Sequence, residues 1–378
     1  MSDSDNEESE RSSSPSRVTY SAALPVSPWR VQGDGQSPSR YFTLFLSLAA
    51  RMRGEAVASA DPALVNFLNN LRDYDIDVFS AATLYVGRGA TFVVRRTVLP
   101  EHHDVVFKTT LRSLDRIDKT DEARRLEALL LELRVLTHLP LRDHDNIVKL
   151  LQVGWEGDAV DVSRIWPVLV MEYADLGTLV DYFDREPETL WTARRMFCQD
   201  VANGLLALHH CGIVHGDLKL ENVLVTSAND EGRLARAKLS DFGGALLDSD
   251  TSDSVRMATP PWNAPEWRIA RPRNRLINSD VYSLGLLIWQ IVLNGRNPFD
   301  DAELFTPLST RRGFLVQLDE EKAMDSLFLS KAKQSVAKWG VDGDQELISN
   351  IFDVSIRVDE AERHLDRVVD LISSPSKR

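Results

Sequence analysis

The chain has 378 residues, enough for one large two-lobed domain or two small ones, and its 43% hydrophobic content is ordinary for a globular core. A net charge of −13 argues against a general nucleic-acid binder, which needs a basic surface to displace counterions from phosphates. The longest apolar stretches, such as 284–293, are too short to span a bilayer, so no membrane partner is expected either.

Residues 1–40 combine Ser, Pro, Asp and Glu with few aliphatic residues. Such a composition buries too little to offset the entropy of ordering and is read as a disordered, acidic, serine-rich tail. Its first ten residues lack the basic flank and apolar run of a secretory leader. Residues 41–76 read as a helical extension built on two stretches, 41–53 and 62–72. From Thr83 the pattern changes to short β-branched runs, and strands are expected at 83–86, 92–98 and 105–109. Residues 121–139 have helical periodicity, with Leu126, Leu129, Leu130, Leu133 and Leu136 along one face. Two more strands are expected at 147–153 and 168–173. Beyond Gly177 the chain reads as mainly helical, notably at 192–211, 280–293, 345–354 and 360–372. A strand-rich half followed by a helix-rich half predicts α+β architecture with two lobes, a small β-rich one and a larger helical one. The only cysteines, Cys198 and Cys211, fall in one helical stretch, 193–211. At about 1.5 Å per residue they stand roughly 20 Å apart, beyond disulfide reach. Both are expected to be reduced, as in an intracellular protein of the cytoplasm or nucleus.

The densest polar cluster in an apolar frame is Ile213-Val-His-Gly-Asp217-Leu-Lys219-Leu-Glu-Asn222-Val-Leu-Val225. Its apolar flanks anchor a loop that presents Asp217, Lys219 and Asn222. Those three suit phosphoryl transfer: a carboxylate orients the attacking hydroxyl, a lysine neutralises the moving phosphate, and an amide oxygen ligates a hard metal ion. Taken singly, such residues also serve turns and caps. A second element, Leu239-Ser-Asp241-Phe242-Gly243-Gly244, places an aspartate 24 residues after Asp217. At the end of a short strand and beside glycines, its carboxylate reaches a magnesium ion without steric interference.

With these residues the sequence resembles the eukaryotic protein kinase family over about 78–371. His215-Gly216-Asp217 is similar to the catalytic-loop motif and Asp241-Phe242-Gly243 to the magnesium-binding motif. Ala264-Pro265-Glu266 resembles the end of the activation segment, and Asp280-Val-Tyr-Ser-Leu-Gly285 the start of the central helix of the helical lobe. Arg363 matches the arginine that pairs with the glutamate at Glu266. The resemblance implies a two-lobed kinase domain at 77–372, with the N-lobe at 77–171, the hinge at 172–177 and the C-lobe at 178–372. It implies ATP and Mg2+ as cofactors and Ser/Thr hydroxyls of protein substrates as acceptors.

The same resemblance implies roles for individual residues. Asp217 and Lys219 would be catalytic, Asn222 and Asp241 metal ligands, and Thr259 a hydrogen-bond partner of Asp217 and Lys219. Gly87 and Gly89 would let backbone N–H groups approach phosphate, and Val94, Val106 and Leu224 would enclose the adenine. The hinge resembles 170–174, where Met171 is the gatekeeper and Glu172 and Ala174 hold the adenine edge through their backbone. Lys108 matches the lysine that grips the α- and β-phosphates and needs a buried carboxylate. Glu132 is the candidate, with Asp121, Glu122 and Glu127 as rivals in the same helical region.

Several positions depart from the family pattern. Gly216 stands where most activated members carry an arginine that reads a phosphate on the activation segment. An active form without that modification is therefore expected, with Ser249, Thr251, Ser252 and Ser254 either phosphorylatable or simply solvated. Phe92 replaces the third glycine of the nucleotide loop. The string Gly-Arg-Gly-Ala-Thr-Phe, together with His-Gly-Asp-Leu-Lys, is similar to divergent kinases common in fungi. Residues 304–338 carry no recognisable motif and read as a helical insertion. Arg268, Arg271, Arg273 and Arg275 read either as a solvated basic loop or as an attraction for acidic substrates. Two other functions stand beside the first. One is a small-molecule phosphotransferase of the aminoglycoside-kinase type, whose members share His-Gly-Asp but lack the Ala-Pro-Glu segment and its arginine partner. The other is a pseudokinase that scaffolds without turnover.

Overall fold

The β-branched runs that follow Thr83 form one five-stranded antiparallel sheet in a computed structural model of the chain. Its strands are β1 (Thr83–Arg88), β2 (Phe92–Val98), β3 (Asp104–Thr110), β4 (Leu150–Gly157) and β5 (Ile165–Glu172), in the spatial order β1-β2-β3-β5-β4. The residues described are 83–89, 92–98, 104–111, 119–157, 165–230, 232–247, 258–339 and 344–374. The expected tail at 1–40, the extension at 41–76, and Ser249, Thr251, Ser252 and Ser254 lie outside them. The central strand β3 is buried from Val105 to Thr110, and its register sets Lys108 opposite Val94 on one side and Leu169 on the other. Helix α1 (Lys119–Leu136) packs against β3. Leu126, Leu129, Leu130, Leu133 and Leu136 are all buried on it, the face that the 3.6-residue spacing predicts. The short α2 (Leu139–Arg142) follows.

The rest of the chain is mainly helical, as expected. Helix α3 (Leu179–Arg185) opens with a capping box between Thr178 and Asp181, which satisfies two of the N–H groups a helix start leaves over. It leads into α4 (Trp191–His210). Helix α5 (Arg273–Val292) is buried nearly all round from Val281 to Val292 and forms the axis of this half. Around it lie α6 (Arg311–Lys322), α7 (Asp325–Trp339), α8 (Gln345–Asp353) and α9 (Leu365–Ser373). The 304–338 stretch is an integral part of this half. Its Phe305 and Phe328 pack with Phe299 around Trp289 at ring separations of 5.3–6.4 Å, and the Trp289 indole donates to Ser335 at 3.1 Å.

Some element boundaries differ from the expectation for local reasons. The helix-rich half contains a hairpin, β6 (Val223–Asp230) with β7 (Arg233–Leu239). Only the alternation of buried Ala235, Ala237 and Leu239 marks β7, since the run has no β-branched residue. Ile147, expected to start β4, makes a single parallel bridge to Leu239 instead, and β4 begins three residues later at Leu150. The expected helix at 360–372 is a one-turn segment, Glu360–Glu362, followed by α9, because Arg363 between them is extended (φ −92°, ψ 120°). Cys211 lies one residue past α4; both cysteines are buried and free. Among the described residues no helix is long and apolar enough to cross a membrane.

Candidate active site

The loop between α4 and β6 is fixed before any functional group is considered. Val214 and Leu246 exchange both backbone hydrogen bonds, at 3.0 and 2.9 Å, tying the loop to the chain that follows β7. From below, the Asp280 carboxylate of α5 accepts from the backbone N–H of His215 at 2.7 Å and of Gly216 at 2.9 Å, and meets the His209 ring at 3.0 Å. The His215 Nε2–H donates to the Ser240 carbonyl at 3.1 Å, and Nδ1 accepts from the Asp217 N–H at 3.3 Å. A carbonyl can only accept, so the two bonds select the Nε2–H tautomer. Gly216 has φ +80°, a left-handed conformation in which a side chain costs about 1–2 kcal/mol.

On that support Asp217, buried to 6% exposure, sits in a closed ring of hydrogen bonds. The Thr259 hydroxyl donates to Oδ1 at 2.7 Å, and Lys219 Nζ donates to Oδ2 at 2.6 Å and to Thr259 Oγ1 at 2.8 Å. Asn222 donates its amide to the Asp217 carbonyl at 2.8 Å and to Oδ2 at 3.0 Å. That orientation turns Asn222 by its nitrogen toward Asp217 and reserves its oxygen, the atom able to ligate a hard cation.

A second charged group lies between the sheet and α1. Lys108 Nζ donates to Glu132 at 2.9 and 2.7 Å and to Asp241 Oδ1 at 3.0 Å. Among its rivals Glu127 is exposed, and the side chains of Asp121 and Glu122 lie outside the described residues. Burial alone would pull the Lys108 pKa down; the charges of Asp241 and Glu132 outweigh it and hold the pKa above the usual lysine value. Lys108 in turn holds the Asp241 carboxyl below the usual range, against the opposing effect of burial. Asp241 is one of two non-glycine residues with positive φ among those described, at +62°. After it Phe242 is fully buried, its ring 5.3 Å from that of His215. Phe92, in place of a third glycine, folds under the loop: its ring lies 4.4 Å from Lys108 Nζ, and a Cβ on Gly243 would come within 3.5 Å of it.

The positions expected around a nucleotide flank this group. A Cβ at Gly87 or Gly89 would meet nothing within 4 Å, and neither has positive φ, so nothing in the fold itself demands glycine there. The open space suits close approach by a ligand's phosphates. Val106, Met171 and Ala174 are buried, and Val94 and Leu224 are half-buried against the core. The Glu172 carboxylate is committed to Lys238 at 2.8 Å and to the Lys149 N–H at 2.7 Å, and its own N–H donates to the Lys149 carbonyl at 3.1 Å. For a metal, the Asn222 amide oxygen and the Asp241 carboxylate are hard oxygen donors of the kind that suit Mg2+. Among the described residues no three His, Cys, Asp or Glu side chains converge, so a cation here would draw the rest of its shell from phosphate and water.

Glu266 is fixed from one side by Arg363 at 2.5 and 3.0 Å and from the other by the Ser279 hydroxyl at 2.9 Å. Arg271 is bonded to Glu360 at 2.8 Å and Arg275 stands 3.7 Å from it, so these two positive charges are partly neutralised. Residue patterns missed Lys238, which holds the Glu172 carboxylate, His209 beside Asp280 under the 213–222 loop, and Lys322. Lys322 is fully buried at the end of α6, a position where a lysine reads as solvated.

The sequence profile of the protein kinase domain matches residues 82–345. Serine/threonine-protein kinase ULK1 of Homo sapiens is 31% identical over 220 residues, 57% of this chain and 19% of that protein. Cytokinesis protein sepH of Emericella nidulans is 31% identical over 217 residues, 57% of this chain and 14% of that one. Serine/threonine-protein kinase pkn2 of Myxococcus xanthus is 34% identical over 164 residues, 42% of this chain and 18% of that one. The chain spans less than a fifth of the length of each of these relatives.

Proposed function

The chain belongs to the protein kinase domain family, and from that premise we propose that it transfers the γ-phosphate of ATP to serine and threonine hydroxyls of protein substrates. The observation that carries the proposal is the hydrogen-bonded ring of Asp217, Thr259 and Lys219. Asp217 orients the acceptor hydroxyl and receives its proton. Lys219, beside it, offsets the negative charge that gathers on the transferred group. Lys108, held by Glu132, aligns the nucleotide phosphates under the main chain of Gly87 and Gly89. Val94, Val106 and Leu224 enclose the base, and the main chain of Glu172 and Ala174 holds its edge. Asn222 and Asp241 would hold magnesium, which when bound neutralises charge on the phosphates. The catalytic domain is taken as 77–372, with the hinge at 172–177.

The Glu266–Arg363 pair supports a protein acceptor over a small-molecule one, because it braces the segment that carries Thr259. Retention of Lys108, Glu132 and Asp241 in one bonded group and of Asp217 and Asn222 in another supports turnover over scaffolding. The left-handed Gly216 and the inward Phe92 support membership of the divergent subgroup common in fungi, acting without phosphate-dependent ordering of the activation segment. Buried thiol cysteines suit an intracellular location. Incubation with labelled ATP, magnesium and a generic basic protein, followed by acid hydrolysis, should yield phosphoserine and phosphothreonine. Label confined to phosphotyrosine, or transfer to an aminoglycoside and to no protein, would overturn the proposal.

A further inference from the structure

Lys322 ends α6, inside the stretch that no motif explains, and it is fully buried. Other lysines in this protein meet carboxylates: Lys108 meets Glu132, Lys238 meets Glu172, Lys331 meets Glu321, and Lys333 meets Asp353. Lys322 is spent on main chain instead. Its Nζ donates to the carbonyl of Pro261 and, at 2.8 Å, to that of Asn263. The charged and titratable groups that bear on it are Asp319 on its own helix, Glu266 with its partner Arg363, and Tyr282 of α5, whose ring centre is 6.0 Å away. Burial pulls its pKa down to about 7, against the smaller upward pull of Asp319 and Glu266. An ammonium buried with carbonyls alone is a costly way to tie down two peptide groups. It is effective only if those groups need a fixed position.

Pro261 and Asn263 lie in the stretch that matters most to the acceptor. Its start, Thr259, is bonded to Asp217 and Lys219, and its end, Glu266, is held by Arg363. Between those anchors, Thr259, Trp262, Asn263 and Ala264 line a small cavity whose other walls include Asp217 and Asp280. Lys322 secures the middle of the stretch through the Pro261 and Asn263 carbonyls.

We propose that Lys322 is a positioning residue for phosphate transfer: it clamps the main chain at 261–263 so that Thr259 closes on Asp217 and the acceptor chain meets a fixed surface. The clamp rests on the kinase function proposed above, and its test separates the two. Lys322→Met keeps the length of the stem and removes every donor. It should lower kcat for protein phosphorylation at least about tenfold and leave the ATP dissociation constant within about twofold, a split that general loss of folding would not give. Amide hydrogen exchange over 258–267 should quicken in the variant while the β1–β5 sheet exchanges as in the wild type. A kcat within about twofold of wild type, or a parallel loss of ATP binding, overturns the clamp. Should Lys322→Met not fold, Lys322→Gln decides: its shorter side chain reaches one carbonyl at most, and a wild-type kcat in the folded variant overturns the proposal. If the wild type binds ATP yet phosphorylates no protein, the functional proposal falls and the exchange measurement judges the clamp: faster exchange over 258–267 supports it, and unchanged exchange overturns it.

Discussion

Lys108→Met is expected to slow phosphate transfer about a hundredfold or more, the scale on which removal of one preorganised charge acts in an electrostatic mechanism. The ammonium bonds both Glu132 oxygens and Asp241, so a single substitution unties Lys108 from α1 and from Asp241 together. Stability should change with a particular pH signature. Burial raises the Glu132 pKa, and Lys108 opposes that rise; without Lys108 the carboxyl is raised further. A glutamate whose folded pKa exceeds its unfolded value favours the fold when protonated, and that contribution is lost as pH rises through the folded pKa. The thermal midpoint of the variant should therefore fall further below that of the wild type as pH rises above the ordinary glutamate value of 4.5. A turnover equal to wild type, or a midpoint difference that does not vary with pH, would contradict the role given to Lys108.

The largest stability effect is expected at Arg363. All five of its N–H directions are accounted for: two bonds to Glu266 at 2.5 and 3.0 Å, and one each to the carbonyls of Asn278 at 3.2 Å, Arg357 at 2.7 Å and Val358 at 3.2 Å. Its guanidinium also lies 4.9 Å from the Tyr282 ring centre. Arg363→Met strands a buried carboxylate and three carbonyls, and a loss of about 3–5 kcal/mol in unfolding free energy is expected. Lysine, with three donors, should recover only part of that. In the wild type, burial would raise the Glu266 pKa, but Arg363 outweighs it and holds the pKa below 4.5. The pair therefore contributes fully above about pH 4.5 and is lost as pH falls through the folded pKa; in Arg363→Met this acid-side loss should disappear. Denaturant unfolding of both proteins at pH 4 to 7 checks both points, and an Arg363→Met protein as stable as the wild type would refute them.

Local spacing made the sheet legible because β-branched runs coincide with strands: β2 is the run 92–98 itself, and β3 differs from its expectation by one residue at each end. Helix α1 was legible through its leucine face, although Pro140 and the turn before it end the helix sooner than the apolar pattern does. Of the hairpin β6–β7 only the short strand leading to Asp241 was legible, because Arg233-Leu-Ala-Arg-Ala-Lys-Leu239 has helix-forming residues and becomes a full strand only by pairing with β6. The charged positions of the site stand at recognisable spacings, since each acts through its own side chain. Lys322 and Lys238 carry no such mark. Their roles arise from what lies across from them in space, and a lone lysine on a helix or strand has the same local signature whether solvated or buried.

The central claim is that Asp217 directs transfer of the ATP γ-phosphate to protein hydroxyls. It is tested most directly by comparing wild type and Asp217→Ala, with magnesium and labelled ATP, on a generic basic protein. The wild type should incorporate label at least about a hundredfold faster, with ATP affinity in the two proteins equal to within about twofold. Equal incorporation by the two proteins would contradict the claim.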